Sequence, residues 1–192
     1  MASQVKAPIL ILGIAGSLRR GSYNRAALRA ATELAPKGAT VETFELDGIP
    51  PFNQDEEQNP PAKVGELKRR IREADAILFV TPEYNWSVSG VLKNAIDWAS
   101  RPHGDSAWNG KPAAIMGAST GAIGTAHTQN HLRQILVYLN MFPINQPEVL
   151  IGHAMDRFDQ EGNLTDVPTR ERIIGLLQNL VDWAQRIGPK DG

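Results

Sequence analysis

Residues 8–24 read Pro8-Ile9-Leu10-Ile11-Leu12-Gly13-Ile14-Ala15-Gly16-Ser17-Leu18-Arg19-Arg20-Gly21-Ser22-Tyr23-Asn24. The run Ile9–Ile14 offers no polar side chain to water, so it predicts a strand covered on both faces. A turn rich in Gly, Ser and Arg follows. A helical stretch then runs from Asn24 to about Leu34 and is stopped by Pro36 and Gly38. The same alternation continues down the chain. Val41–Leu46, Ala76–Val80, Pro112–Ala118 and the short Glu148–Leu150 read as further strands. Helices are predicted over Ala62–Glu73, Ser89–Ser100, Thr125–Leu139 and Pro168–Ile187. In the last of these, Ile173, Leu177, Leu180, Ala184 and Ile187 recur at helical spacing. Residues 47–61, rich in Pro, Asn and Asp, predict a long loop.

Strands alternating with helices specify an α/β protein: a doubly wound, five-stranded parallel sheet with helices on both faces. With 192 residues and no linker or repeat, residues 1–192 are expected to form one domain. The chain has no Cys, which removes disulfides, Cys-ligated metals and a thiol nucleophile from consideration. A formal net charge of −1 leaves no basic field for nucleic acid. The cluster Lys68, Arg69, Arg70 and Arg72 sits beside Glu66 and Glu73 and reads as a solvated helix face. No stretch is long and apolar enough for a membrane span, and no signal peptide is visible, so a soluble cytoplasmic protein is expected.

The ligand of a doubly wound sheet sits beyond the carboxyl ends of its strands, at the point where the strand order reverses. The loops after the first, third and fourth strands are therefore the candidates. The first joins Gly16, Ser17, Arg19, Ser22 and Asn24 to a helix N-terminus, where backbone N–H groups attract anions. A terminal phosphate monoester suits those donors; the alternative is a plain helix cap by Ser22 or Asn24. It is neither a P-loop nor a good Gly-x-Gly-x-x-Gly fingerprint. The loop after the third strand reads Thr81-Pro82-Glu83-Tyr84-Asn85-Trp86-Ser87-Val88-Ser89. Its aromatic rings and amide suit a flat, partly polar ligand, and the alternative is an aromatic cover over the sheet end.

Gly16-Ser17-x-Arg19-x-x-Ser22-x-Asn24, then Pro82-Glu83-Tyr84-Asn85, then Leu92-Lys93-Asn94-Ala95-x-Asp97-Trp98 closely resemble the flavodoxin-like NAD(P)H-dependent FMN reductases. This family includes chromate, quinone and azo-dye reductases. The resemblance runs in order over nearly the whole chain. It implies tightly bound FMN and NADPH or NADH as hydride donor. Hydride would pass through flavin N5 to a small acceptor: a quinone, a flavin, an azo compound or an oxyanion such as chromate. It implies that Ser17, Arg19, Ser22, Tyr23 and Asn24 meet the FMN phosphate. Pro82, Glu83, Tyr84 and Asn85 would lie against the ring, and Ser119, Thr120 and Gly121 on its pyrimidine side. Ser89 stands where Pro is frequent in the family, and Thr125 where Gly is frequent.

Arg101 follows the helix that begins at the flavin loop, directly before Pro102. It is expected either to serve the helix C-terminus or to reach an anionic substrate over the flavin. On the helix 125–139, Leu132, Ile135, Leu136 and Leu139 make one apolar face, while Val137, Tyr138, Met141 and Phe142 extend beyond it. That excess, with the family's habit, predicts a homodimer or homotetramer. His127 and His131 have metal-ligand spacing but no third ligand and no metalloprotease Glu between them. Residues around Asp159–Gly162 fail the calcium-loop pattern. Two rival classes remain at this point. An electron-carrier flavodoxin is disfavoured by the near-neutral charge, and a Rossmann dehydrogenase by the poor fingerprint.

Overall fold

The computed structural model describes residues 8–188. Strand β1 (Ile9–Ala15) pairs in parallel with β2 (Ala39–Phe44) on one side and β3 (Ala76–Val80) on the other. Strand β6 (Pro112–Ala118) follows β3, and both β7 (Phe142–Pro143) and β8 (Val149–Ile151) pair with β6. The order is β2-β1-β3-β6, with β7 and β8 sharing the last position. Six parallel strands thus occupy five places. The short pieces β4 (Glu83–Tyr84) and β5 (Ser87–Val88) form a separate antiparallel hairpin.

Period-two alternation sends each central strand to two cores. Ile11, Leu78, Val80, Ala114 and Met116 pack against α1 (Tyr23–Glu33) and α5 (Val167–Ile187). Leu12, Ile14, Ile77, Phe79 and Ile115 face α2 (Ala62–Glu73), α3 (Gly90–Ala99) and α4 (Ala126–Tyr138). A strand apolar on both faces is the signature of a helix-covered parallel sheet. Among the described residues, no helix is long and apolar enough to cross a membrane.

Three expectations need correction. The second strand lies two residues earlier than Val41–Leu46, because its register pairs Ile9 with Ala39 and Ile14 with Phe44. Leu46 is buried without belonging to the ladder. The fifth strand is split: Pro143 and Pro147 cannot donate ladder hydrogen bonds, which an edge position tolerates. Met141 does not extend the outer face of α4 but is buried in the core.

The motif 92–98 is scaffold. Leu92 and Trp98 are buried. Asn94 Nδ2 and Trp98 Nε1 both donate to Pro50 O, and Asn94 Oδ1 accepts from Phe52 N, so α3 pins the start of the long 47–61 loop. Lys93 and Asp97 pair on the surface one turn apart.

Asp166 caps α5. Its carboxylate accepts from Thr169 N at 3.0 Å and from Thr169 Oγ1, and pairs with Arg157 at 2.7 Å. The Thr169 hydroxyl foremost, then the Thr169 amide and Arg157, hold this carboxyl below its ordinary range. A lowered carboxyl stabilises the fold above the unfolded-state value and loses that contribution as pH falls through the folded-state value. Asp166→Ala should therefore cost about 0.5–2 kcal/mol at neutral pH. The gap to wild type should close in acid, as read by urea denaturation at the two conditions.

Candidate active site

The strand order reverses between β1 and β3, and the loops leaving β1, β3 and β6 meet there. They enclose a cleft of about 250 Å³. From the first loop it is lined by Ser17, Arg19, Ser22, Tyr23 and Asn24. Pro82, Glu83 and Tyr84 come from the second, and Ala118, Ser119 and Thr120 from the third. Asn85 and Gly121 do not line it. Asn85 sits at the tip of the β4–β5 hairpin with φ 50, and Gly121 is tied by its amide to Ser119 Oγ and by its carbonyl to His153 N.

The three loops are bolted together from within. Asn24 Nδ2 donates to Ala118 O at 2.9 Å and Asn24 Oδ1 accepts from Ala118 N at 2.8 Å. Its buried amide therefore spans from α1 to the end of β6, so Asn24 is a strut at the cleft wall, with one Nδ2 hydrogen left over. Ser22 is the N-cap of α1, accepting from Asn24 N and Arg25 N, while its own hydroxyl proton stays free. Both sides of the alternative posed for this loop, helix cap and polar lining, hold at once for Ser22. Ser89, where the family often has Pro, is buried and donates to Gly16 O at 2.7 Å, joining the first and second loops by a hydrogen bond. A Cβ on Gly16 would come within 2.9 Å of that hydroxyl. A Cβ on Gly117 would meet Thr81 O at 2.2 Å and Thr125 Oγ1 at 2.3 Å, so only Gly lets β6 pass under the second loop with Thr125 in place.

The lining has a distinct donor character. Among the described residues, the backbone amides of Ser17, Leu18, Arg19, Arg20, Gly21 and Tyr23 donate to no protein acceptor. Ser17 Oγ, Thr120 Oγ1 and the Arg19 guanidinium are likewise without a hydrogen-bond partner there, and Arg19 lies 5.9 Å above the Tyr23 ring. Unpaired N–H groups at a helix start, hydroxyls and one guanidinium make an anion cradle. Glu83 lines the cleft as well, but its carboxylate oxygens are engaged by α4. Oε2 accepts from Thr128 N at 3.1 Å, and Oε1 lies 2.8 Å from His127 Nδ1.

Arg101 is not part of this cleft. It follows α3, whose N-terminus is at the cleft and whose 10 residues carry the chain about 15 Å away. It lines a separate hollow with Ser100, His103, Asn109, Tyr138 and Asn140, which shares no residue with the cleft. There Lys68 donates to the Arg101 carbonyl and to Asp105, and hydrogen bonds from Lys68 and Arg72 hold the Asp105 carboxyl below its ordinary range. Arg101 thus faces a hollow of its own, separated from the cleft by the length of α3.

Residues 9–156 match the sequence profile of the family described as NADPH-dependent FMN reductase. The chain belongs to that family. An NAD(P)H-dependent FMN reductase of Pseudomonas aeruginosa is 53% identical over 93% of this chain and 97% of its own. A 2-hydroxy-1,4-benzoquinone reductase of a Burkholderia species is 44% identical over 90% and 94% of the two chains. The solved flavoenzyme NAD(P)H:(acceptor) oxidoreductase FerB of Paracoccus denitrificans superposes with a TM-score of 0.87 at 35% identity, over 94% and 100% of the chains. This FMN reductase-family chain is an oxidoreductase with the flavodoxin-like fold, and no observation favours an electron carrier without its own NAD(P)H site.

One cleft residue, Ala118, escaped sequence reasoning. Ala118 carries no chemistry in its side chain and acts through its backbone alone. The hairpin has no Gly in its turn, and Trp86 at φ 63 is a conformation that a bulky residue rarely takes. Asn24→Ala strips Ala118 of both partners, and with about 1–3 kcal/mol for each unpaired buried group it should destabilise the ligand-free protein by about 2–6 kcal/mol. Ser17→Ala, which removes a hydroxyl with no protein partner, should stay within about 0.5 kcal/mol of wild type. Denaturant titration of the two variants side by side separates strut from free donor.

Proposed function

We propose that this chain is an FMN-dependent NAD(P)H:quinone oxidoreductase that holds its flavin tightly in the cleft between the loops of β1, β3 and β6. The observation that carries the reading is the cradle of unpaired donors at the start of α1, opening onto a wall formed by Pro82 and Tyr84. The flavin's phosphate suits the former and its flat ring the latter. Ser17 Oγ, the Ser22 hydroxyl proton, the Arg19 guanidinium and the free amides would hold the phosphate. Pro82 and Tyr84 would lie against one side of the ring, with Ser119 and Thr120 at its polar edge. The single anion cradle among the described residues of the cleft suits a mononucleotide rather than FAD. Bound FMN would supply hydride acceptance and donation, chemistry that no side chain here provides. The protein's own part is to bind and to orient, with the Glu83 carboxylate engaged by α4. A quinone is the acceptor class favoured by the relatives, and an open cleft beside the exposed Tyr84 suits a flat ring.

A homodimer built on the outer face of α4 belongs to the same reading. Tyr138 is 87% exposed and Val137 72%. Trp86, stacked on His127 of the same helix, is 72% exposed. Exposed aromatic and β-branched side chains grouped this way are unusual on a monomer. A second copy seated there would close over the hairpin that walls the cleft.

The purified protein should be yellow and release FMN, not FAD, on heating, and it should oxidise NADPH or NADH with a benzoquinone. Ser17→Ala should weaken FMN by about 10- to 100-fold, the loss of one hydrogen bond to a charged phosphate, at about 1.5–3 kcal/mol. Release of FAD, or a colourless protein that does not take up FMN, would overturn the assignment. Light scattering should give at least a dimer, and Tyr138→Glu should shift it toward 21.0 kDa monomer.

A further inference from the structure

Helix α4 carries His127 and His131 one turn apart, on one side of the helix. Among the described residues, no group of three metal-ligating side chains forms around them. Both instead reach the same short hairpin. The His127 ring stacks on Trp86 with centroids 3.9 Å apart and planes at 13°, and its Nδ1 lies 2.8 Å from Glu83 Oε1. His131 Nδ1 lies 2.8 Å from Ser87 Oγ. Thr128, between them, donates its backbone N–H to Glu83 Oε2 at 3.1 Å.

The hairpin has little to hold it on its own. It consists of two residue pairs, Glu83 with Val88 and Tyr84 with Ser87, around Asn85 and Trp86 at positive φ. An isolated two-stranded ribbon is marginal in water even when much longer. Its place in the molecule is therefore imposed largely by α4, through Val88 packing on the core and through contacts that include both histidine rings. The same hairpin presents Glu83 and Tyr84 to the cleft.

We propose that His127 and His131 are positioning residues for the acceptor: together they clasp the β4–β5 hairpin and so set the wall against which a flat quinone ring docks. This rests on the flavin-cleft reading above. The carboxylate of Glu83 can only accept, so His127 donates from Nδ1, and protonation of the ring at Nε2 leaves that donor in place. The stack on Trp86 then fixes the hairpin's tilt, and His131 fixes its outer strand at Ser87. A ring acceptor depends on that wall. Ferricyanide, which takes one electron without stacking and without a proton, does not.

The test uses the FMN-loaded enzyme with His127→Ala, His131→Ala, the double variant and His127→Gln. The double variant should raise KM for a benzoquinone about 10-fold, the loss expected when one docking wall becomes mobile, with little change in kcat. NADPH:ferricyanide turnover per bound FMN should stay as in wild type. His127→Gln, whose amide N–H still reaches Glu83, should recover most of the quinone KM. Two readouts need no turnover. Amide hydrogen exchange over residues 83–88 should accelerate about 10-fold or more, and the indole emission of Trp86, taken against Trp86→Phe, should shift when the imidazole is removed. Faster exchange with an unchanged quinone KM would overturn the proposal, as would equal losses with quinone and ferricyanide, the mark of a merely structural role. If wild type reduces no quinone at all, the preceding functional reading fails instead, and the exchange rates still report whether the clasp exists.

Discussion

The Asn24 amide bonded to the backbone of Ala118 is the contact on which the site depends. It joins residues 94 apart in sequence, at 2.8 and 2.9 Å, in a buried place. It sets the N-terminus of α1, where unpaired amides accumulate, against the end of β6, where the third loop departs. Without it the anion cradle and the polar edge of the cleft would be two separate surface loops. A buried amide whose donor and acceptor are both used costs little, whereas a half-used one is expensive, so the pairing fixes geometry as well as energy.

Around this strut the other loops are placed by the same device, one polar side chain satisfying backbone of a distant loop. Ser89 reaches Gly16, Glu83 reaches Thr128, and Asn94 with Trp98 reaches residues 50–52. A division of labour follows. The residues that make the family pattern recognisable are in large part the bolts, while the groups left free for a ligand are hydroxyls, one guanidinium and backbone amides. The carboxylate of Glu83 shows the electrostatic side of the arrangement. Its oxygens are consumed by the first turn of α4, whose dipole favours a negative charge there.

The fold was legible in the sequence because each central strand is apolar on both faces and each is followed by an amphipathic helix. Those signals are local, and they survived with shifts of only a residue or two. They failed where structure is long-range. The register of β2 is chosen by β1, and the edge strand breaks at Pro143 and Pro147 because nothing beyond it demands a full ladder. The hairpin 83–88 has no turn signature, since Trp86 is held at positive φ by a histidine 41 positions away.

For the site, the sequence by itself determined which loops matter, and through the motifs at 16–24 and 82–85 it determined the family. It placed Ser17, Arg19, Ser22, Tyr23, Asn24, Pro82, Glu83, Tyr84, Ser119 and Thr120 on the cleft. Only the tertiary structure decided which of these are free. Asn24 and Glu83 look like ligand contacts in a string of residues, because a polar side chain in a loop declares its chemistry but not its partner. Their partners are Ala118 and the start of α4, which no spacing rule connects. Arg101 lies away from the cleft for the same reason in reverse. It is near the flavin loop in sequence, but a helix converts ten residues into about 15 Å of separation, and that distance is a property of the folded chain.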